Sequence, residues 1–209
     1  MNIRQLILQG ENVKLDFKKT ISNAQKIAKT LVAFANNSGG KLLIGVADNG
    51  SISGVKAEDE EKYMINKAAH QYCRPALEPT FEEIYVDDKL ILVVEVEKSD
   101  LKPHYALDEN NKWWVYYRIN DKSILASKIM VDVLKLGDQE NGQLISYSVY
   151  EEKLLNYLAV NEKITLKEYC KLTRLNHKKA QKIIVSLILT GVIAPHISEK
   201  EEYYKAVKI

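Results

Sequence analysis

From Val13 to Lys18 apolar and charged residues alternate, with Val13, Leu15 and Phe17 set against Lys14, Asp16 and Lys18. A period of two predicts a half-buried strand. The period then becomes helical. Ala24, Ile27, Ala28, Leu31 and Ala35 share one face, and Lys26 and Lys29 fall off it. Ser22 with Gln25 three residues later reads as a capping box, and Asn37-Ser38-Gly39-Gly40 reads as the stop of that helix. Ahead of the strand, residues 2–9 form a short amphipathic pattern ended by Gly10. After the helix, Lys41–Val46 reads as a buried strand, Asp48-Asn49-Gly50 as a tight turn and Ser51–Val55 as its return strand. A helix is expected from Glu58 to about Arg74, then a hairpin of Phe81–Val86 and Lys89–Glu97 around Asp87-Asp88. Lys102-Pro103-His104 begins a loop, Trp113–Ile119 is an aromatic, β-branched strand, and Ala126–Leu136 is a closing helix.

Residues 137–143 are polar, contain two glycines and carry no apolar side chain, so the linker is placed at 138–145. It separates an N-terminal domain, 1–137, from a C-terminal one, 146–209. In the latter, Tyr150–Val160 is helical. Thr165 with Glu168 opens a second helix, and Asn176 caps a third that Gly191 ends. Val192–His196 and Tyr203–Val207 can pair as a ribbon. Three helices and a ribbon are the element order of a winged helix-turn-helix, whose third helix enters a DNA major groove. The expected fold class is therefore α+β: an N-terminal domain of helices and strands followed by a small winged helix-turn-helix domain.

Composition adds one correction to its own average. The 209 residues carry 30 Lys and Arg against 28 Asp and Glu, a net +2, with 46% hydrophobic residues. These values exclude disordered, collagenous and disulfide-scaffold classes. Residues 146–209, however, hold 11 basic and 7 acidic residues, whereas 1–145 hold 19 and 21. The near-neutral total hides a mildly basic C-terminal module. Cys73 and Cys170 stand alone, without a CxxC pair, and read as reduced thiols of a cytoplasmic protein without a zinc site. No apolar run approaches the ~20 residues of a membrane span.

Candidate nucleic-acid contacts follow from the lysines. On the third C-terminal helix Lys178 and Lys182 lie opposite the apolar stripe, with Lys179 and Gln181 beside them, a set able to meet phosphates and base edges. Lys14, Lys18, Lys19, Lys26 and Lys29 form a second basic set, equally readable as a solvated face. Arg118 can grip a phosphate bidentately or pair with an internal carboxylate such as Asp121. His104 reads as structural. Of the adjacent Trp113 and Trp114, one is expected in the core and the other free to cover a dimer surface or stack a base.

Three segments are more specific: Gly10-Glu11 through Asp16-Phe17-Lys18; Ala33-Phe34-Ala35-Asn36 through Gly39-Gly40 to Gly45-Val46-Ala47-Asp48-Asn49-Gly50; and Lys102-Pro103-His104-Tyr105 with Tyr116-Tyr117-Arg118. Over roughly residues 8–136 they resemble the Schlafen-type AlbA-like domain, which implies a mixed sheet in the N-terminal domain and whose bacterial members often carry a C-terminal winged helix. The resemblance implies double-stranded DNA binding and transcription regulation without a cofactor. A homodimer suits two-fold symmetric sites. In endonuclease members of the family, acidic residues matching Glu11, Asp16 and Asp48 hold Mg²⁺ or Mn²⁺ for RNA cleavage. Asp16 stands here where the family has Glu. A metal-dependent endoribonuclease is thus the first alternative, and a protein-interaction adaptor using the winged helix is the second. Relatives have also been described as ATP-binding, but Ser38-Gly39-Gly40-Lys41-Leu42 lacks the phosphate-loop spacing.

Overall fold

A computed structural model describes residues 2–137, 148–198 and 200–207, so the linker expected at 138–145 lies outside the described residues. The chain divides into two compact units, Met1–Ala126 and Ser127–Ile209.

The first unit runs α1 (Ile3–Leu8), β1 (Leu15–Lys18), α2 (Ala24–Asn36), β2 (Gly40–Ile44), α3 (Glu58–Gln71), β3 (Cys73–Arg74), β4 (Thr80–Val86), β5 (Lys89–Val96), β6 (Tyr105–Leu107), β7 (Trp113–Ile119) and β8 (Lys122–Leu125). One sheet has the order β1-β2-β5-β4, with β1 parallel to β2 and the other pairs antiparallel. The mixed sheet implied by the resemblance is present. A second, antiparallel sheet has the order β3-β6-β7-β8.

Strand alternation assigns the mixed sheet's two faces. Leu42, Ile44, Leu92, Val94 and Val96 pack with α2 and α3 in the main core. Leu43, Ile91 and Val93 pack on the other side with Leu15, Phe17 and α1. Helix α2 also packs against β6 and β7, so it is buried all round along its second half, from Leu31 to Asn36.

The run from Asn36 to Gly40 is explained by its packing. Gly39 has φ +74°, and a Cβ there would stand 2.8 Å from the Val96 carbonyl oxygen. A Cβ on Gly40 would stand 2.3 Å from Cδ1 of the Phe34 ring, far too close for two carbons. Asn36, 1% exposed, donates from Nδ2 to the carbonyls of His104 and Tyr116, both at 2.9 Å, and its Oδ1 accepts from the His104 amide at 2.7 Å. That one side chain ties the end of α2 to the second sheet and the Pro103-His104 loop.

Several expectations are corrected. The first strand begins at Leu15, because Asn12 and Leu15 close a tight turn through two backbone hydrogen bonds. Its pattern is not half-buried, since Asp16 is buried along with its apolar neighbours. Ser51–Val55 forms a single bridge, Val46 to Ile52, because β5 occupies the edge of β2 where the return strand was expected. Asn23, not Ser22, caps α2, accepting from the Lys26 amide at 3.0 Å. Neither tryptophan is in the core: Arg74 lies over the Trp113 ring, and Trp114 Nε1 donates to Asp108 at 2.8 Å.

The second unit runs α4 (Lys128–Leu136), α5 (Val149–Val160), α6 (Leu166–Thr173), α7 (His177–Leu189), β9 (Ile193–Ile197) and β10 (Glu202–Ala206). Both expected capping signals act. Thr165 and Glu168 form a reciprocal capping box, and Asn176 accepts from the Lys179 amide at 2.9 Å. Ser148 and Glu151 form a further capping box on α5. Antiparallel β9 and β10 make the ribbon, and Ile164, between α5 and α6, bridges to Tyr204 on β10. Helix α4, read from the sequence as closing the N-terminal domain, belongs to this unit. Its Ile129 and Val133 join the core built by Leu154, Leu158, Tyr169, Ile184 and Val185.

Candidate nucleic-acid interface

Gly10, at φ +69°, and the Asn12–Leu15 turn fold the chain back ahead of β1. The fold-back brings Glu11 level with Phe17, whose amide donates to Glu11 Oε1 at 2.8 Å. Asp16, 4% exposed, sits beside it. Lys18 Nζ donates to Asp16 Oδ1 at 2.6 Å and Arg118 Nη1 to Oδ2 at 2.7 Å. Burial alone would raise the Asp16 carboxyl. The hydrogen bond with Glu11 and the charges of Lys18 and Arg118 outweigh it and hold Asp16 below the ordinary value. Glu11 moves the other way, pushed up by burial and by Asp16.

Arg118 is 2% exposed, and every donor group of its guanidinium is engaged within the fold. Besides Asp16 it reaches the carbonyls of Asn12 and Leu15 and the Ser123 hydroxyl, and its Cζ lies 5.0 Å from the Phe34 ring centre. It was expected at a phosphate, with Asp121 as the internal alternative. It is instead a buried clamp on Asp16, and a guanidinium with all donors committed has none to offer a nucleic acid.

The carboxylates matching the family's nuclease triad are brought together only in part. Glu11 and Asp16 meet, whereas Asp48 is exposed on the turn after β2. Both Asp16 oxygens already carry a cation, and among the described residues no three His, Cys, Asp or Glu side chains are grouped to hold a metal ion. Mg²⁺ and Mn²⁺ need freely presented oxygen ligands, so the residues present do not fit them.

The lysines of the N-terminal basic set differ in their engagement. Lys18 is spent on Asp16, and Lys29 lies over the Tyr116 ring, 5.6 Å from its centre. Lys14, Lys19 and Lys26 are exposed. Lys14 lines a cleft of about 590 Å³ with Lys41 and Lys98, but Glu95 and Glu97 share it, and Glu95 pairs with Lys41 at 2.7 Å. This mixed lining is a poor phosphate cradle. His104 is structural, as read: Nδ1 faces the Pro75 carbonyl and Nε2 the Ser99 hydroxyl, and burial lowers its pKa. Burial pushes the Cys73 thiol up to about 12, which removes it as a nucleophile.

On α7, Lys178, Lys179 and Lys182 are exposed as read, on the first two turns. Gln181 is not: it is 5% exposed and donates from Nε2 to Asp132 on α4 at 2.6 Å. Sequence spacing had no means of finding Asp132, which is 49 residues away. Among the described residues no helix is long and apolar enough to cross a membrane.

Among solved structures, the DIP2311 protein of Corynebacterium diphtheriae matches 62% of this chain at 16% identity, with a TM-score of 0.46. The match spans 25% of that protein's own length. The N-terminal domain of an ATP-dependent DNA helicase RecG-related protein from Nitrosomonas europaea matches 60% of this chain and 92% of its own length, at 23% identity and a TM-score of 0.45. No curated protein matches the chain. The Schlafen, AlbA_2 family model matches residues 11–127. That segment takes in more than half of the chain, from the turn before β1 to the residue that caps α4, and the protein belongs to the Schlafen AlbA_2 family.

Proposed function

We propose that this protein binds double-stranded DNA as a transcriptional regulator, that its second unit is a winged helix, and that α7 is the helix that meets DNA. The order α5, bridge at Ile164, α6, α7 and ribbon supports the winged-helix reading. One observation carries the DNA reading. The first turn of α7 holds His177, Lys178 and Lys179 and no acidic residue. Cations at a helix N-terminus oppose the helix dipole and cost stability, whereas an anion there is favoured by dipole, amides and lysines together. As a homodimer the protein would present two copies of α7 to a two-fold symmetric site.

The test is fluorescence anisotropy with a labelled duplex at 50 mM salt. The paired substitution Lys178→Ala and Lys182→Ala is expected to weaken binding at least tenfold. Unchanged affinity overturns the assignment of α7. The absence of any salt-dependent affinity for nucleic acid favours an adaptor role instead.

A further inference from the structure

Residues of α7 recur on one face at i, i+3, i+4, i+7 and i+11, because successive side chains are 100° apart. Lys178, Gln181, Lys182, Val185 and Leu189 therefore share the face opposite the stripe of Ala180, Ile184 and Leu187 that builds the core. In a helix free to lie in a groove this face would be open along its whole length. Here it is open only at Lys178 and Lys182. Gln181 is 5% and Val185 4% exposed, and the helix lying across them is α4. Asp132 holds the Gln181 amide at 2.6 Å, and Ile129 and Val133 join the same cluster as Val185 and Leu189. A major groove about 12 Å wide admits one helix, not two packed side by side. The seam is also loosely filled. A groove of about 280 Å³ runs along it between Asp132 and Leu136 on α4 and Lys182, Val185, Ser186 and Leu189 on α7, and Leu136 is 36% exposed.

We propose that α4 is an autoinhibitory cover on α7: docked, it leaves the lysines of the first two turns free for phosphates but withholds Gln181 and the rest of the outer face from base edges, and DNA reading requires its release. Release would free the Gln181 amide for the two-bond contact with adenine that this side chain makes in a major groove. The inference rests on the assignment of α7 as the DNA-contacting helix, and the experiment separates the two. Hydrogen–deuterium exchange of the full chain is followed over 128–136 and 177–189, with and without saturating duplex DNA. DNA is expected to speed exchange in α4 at least tenfold while slowing it in α7. Leu136→Glu, at a partly exposed position on the seam, is expected to tighten DNA binding at least threefold although it adds a negative charge. Unchanged or slowed exchange in α4 on DNA binding, or weaker binding by a folded Leu136→Glu protein, overturns the cover and leaves the DNA reading intact. Failure of both proteins to bind any duplex overturns the DNA reading itself. The wild-type exchange measurement decides the matter even if Leu136→Glu does not fold.

Discussion

Asp16 and Arg118 are 102 residues apart in sequence, and each is intelligible only through the other. A carboxylate on a strand beside Leu15 and Phe17 reads as the solvent-facing member of an alternating pattern, and an arginine beside two tyrosines reads as a surface contact. Neither residue type announces burial, because Asp and Arg are rarely buried unless paired, and the pairing is a tertiary fact. Removing one partner of such a pair leaves a buried charge uncompensated, which costs about 3–5 kcal/mol. Arg118→Ala is therefore expected to lower unfolding stability by that amount in urea titrations at pH 7, and a loss under 1 kcal/mol would contradict the clamp. The acid dependence has a definite sign. A carboxyl held below its unfolded value contributes stability that is complete above about pH 4 and disappears as pH falls through the folded value. The deficit of Arg118→Ala should accordingly narrow on acidification below pH 4, since a protonated Asp16 no longer needs a counter-charge.

Elements whose signals are local were legible in the sequence, and those decided by distant strands were not. Helices α6 and α7 carry their own caps, Thr165 with Glu168 and Asn176, and both act as read. The β4–β5 hairpin turns through Asp87 and Asp88, both at positive φ, as the Asp-Asp pair suggested. By contrast, β3, β6 and β8 have two, three and four residues, too few to show a period. The expected return strand at 51–55 gave way to β5, a partner nearly 40 residues further on. The placement of α4 was likewise hidden, because the Gln181–Asp132 bond and the α7 packing that decide it join residues far apart in sequence. The family's most specific run was recognised, but its role was not: Asn36 is a joint between elements. Replacing it by Ala strands the His104 amide and two carbonyls, each unpaired buried group costing ~1–3 kcal/mol. Asn36→Ala should thus destabilise by at least 2 kcal/mol in the same titrations. Asn37→Ala, losing one bond to the Arg118 carbonyl, should cost under half as much, and equal costs would deny Asn36 its joining role.

For the whole molecule the proposed function raises the question of how few charges can hold DNA. A net +2 argues against a binder that relies on bulk attraction, and two of the five lysines in the N-terminal basic set are engaged, Lys18 with Asp16 and Lys29 over the Tyr116 ring. What remains free on α7 is Lys178, Lys179 and Lys182. Each phosphate neutralised on duplex DNA contributes about −0.9 to the slope of log affinity against log salt, so three lysines give a slope near −2.7. Raising salt from 50 to 200 mM should then weaken binding on the order of 40-fold, far less than for proteins that neutralise many phosphates. In the paired Lys178→Ala and Lys182→Ala protein one of the three contacts survives, and the slope should flatten to about −0.9. A variant that binds more weakly yet keeps the full slope would mean that the phosphates are met elsewhere, and the exposed Lys14, Lys19 and Lys26 of the first unit would be the next residues to replace. A wild-type slope much steeper than −3 would carry the same message, because α7 alone has no further lysines on its open turns to account for it.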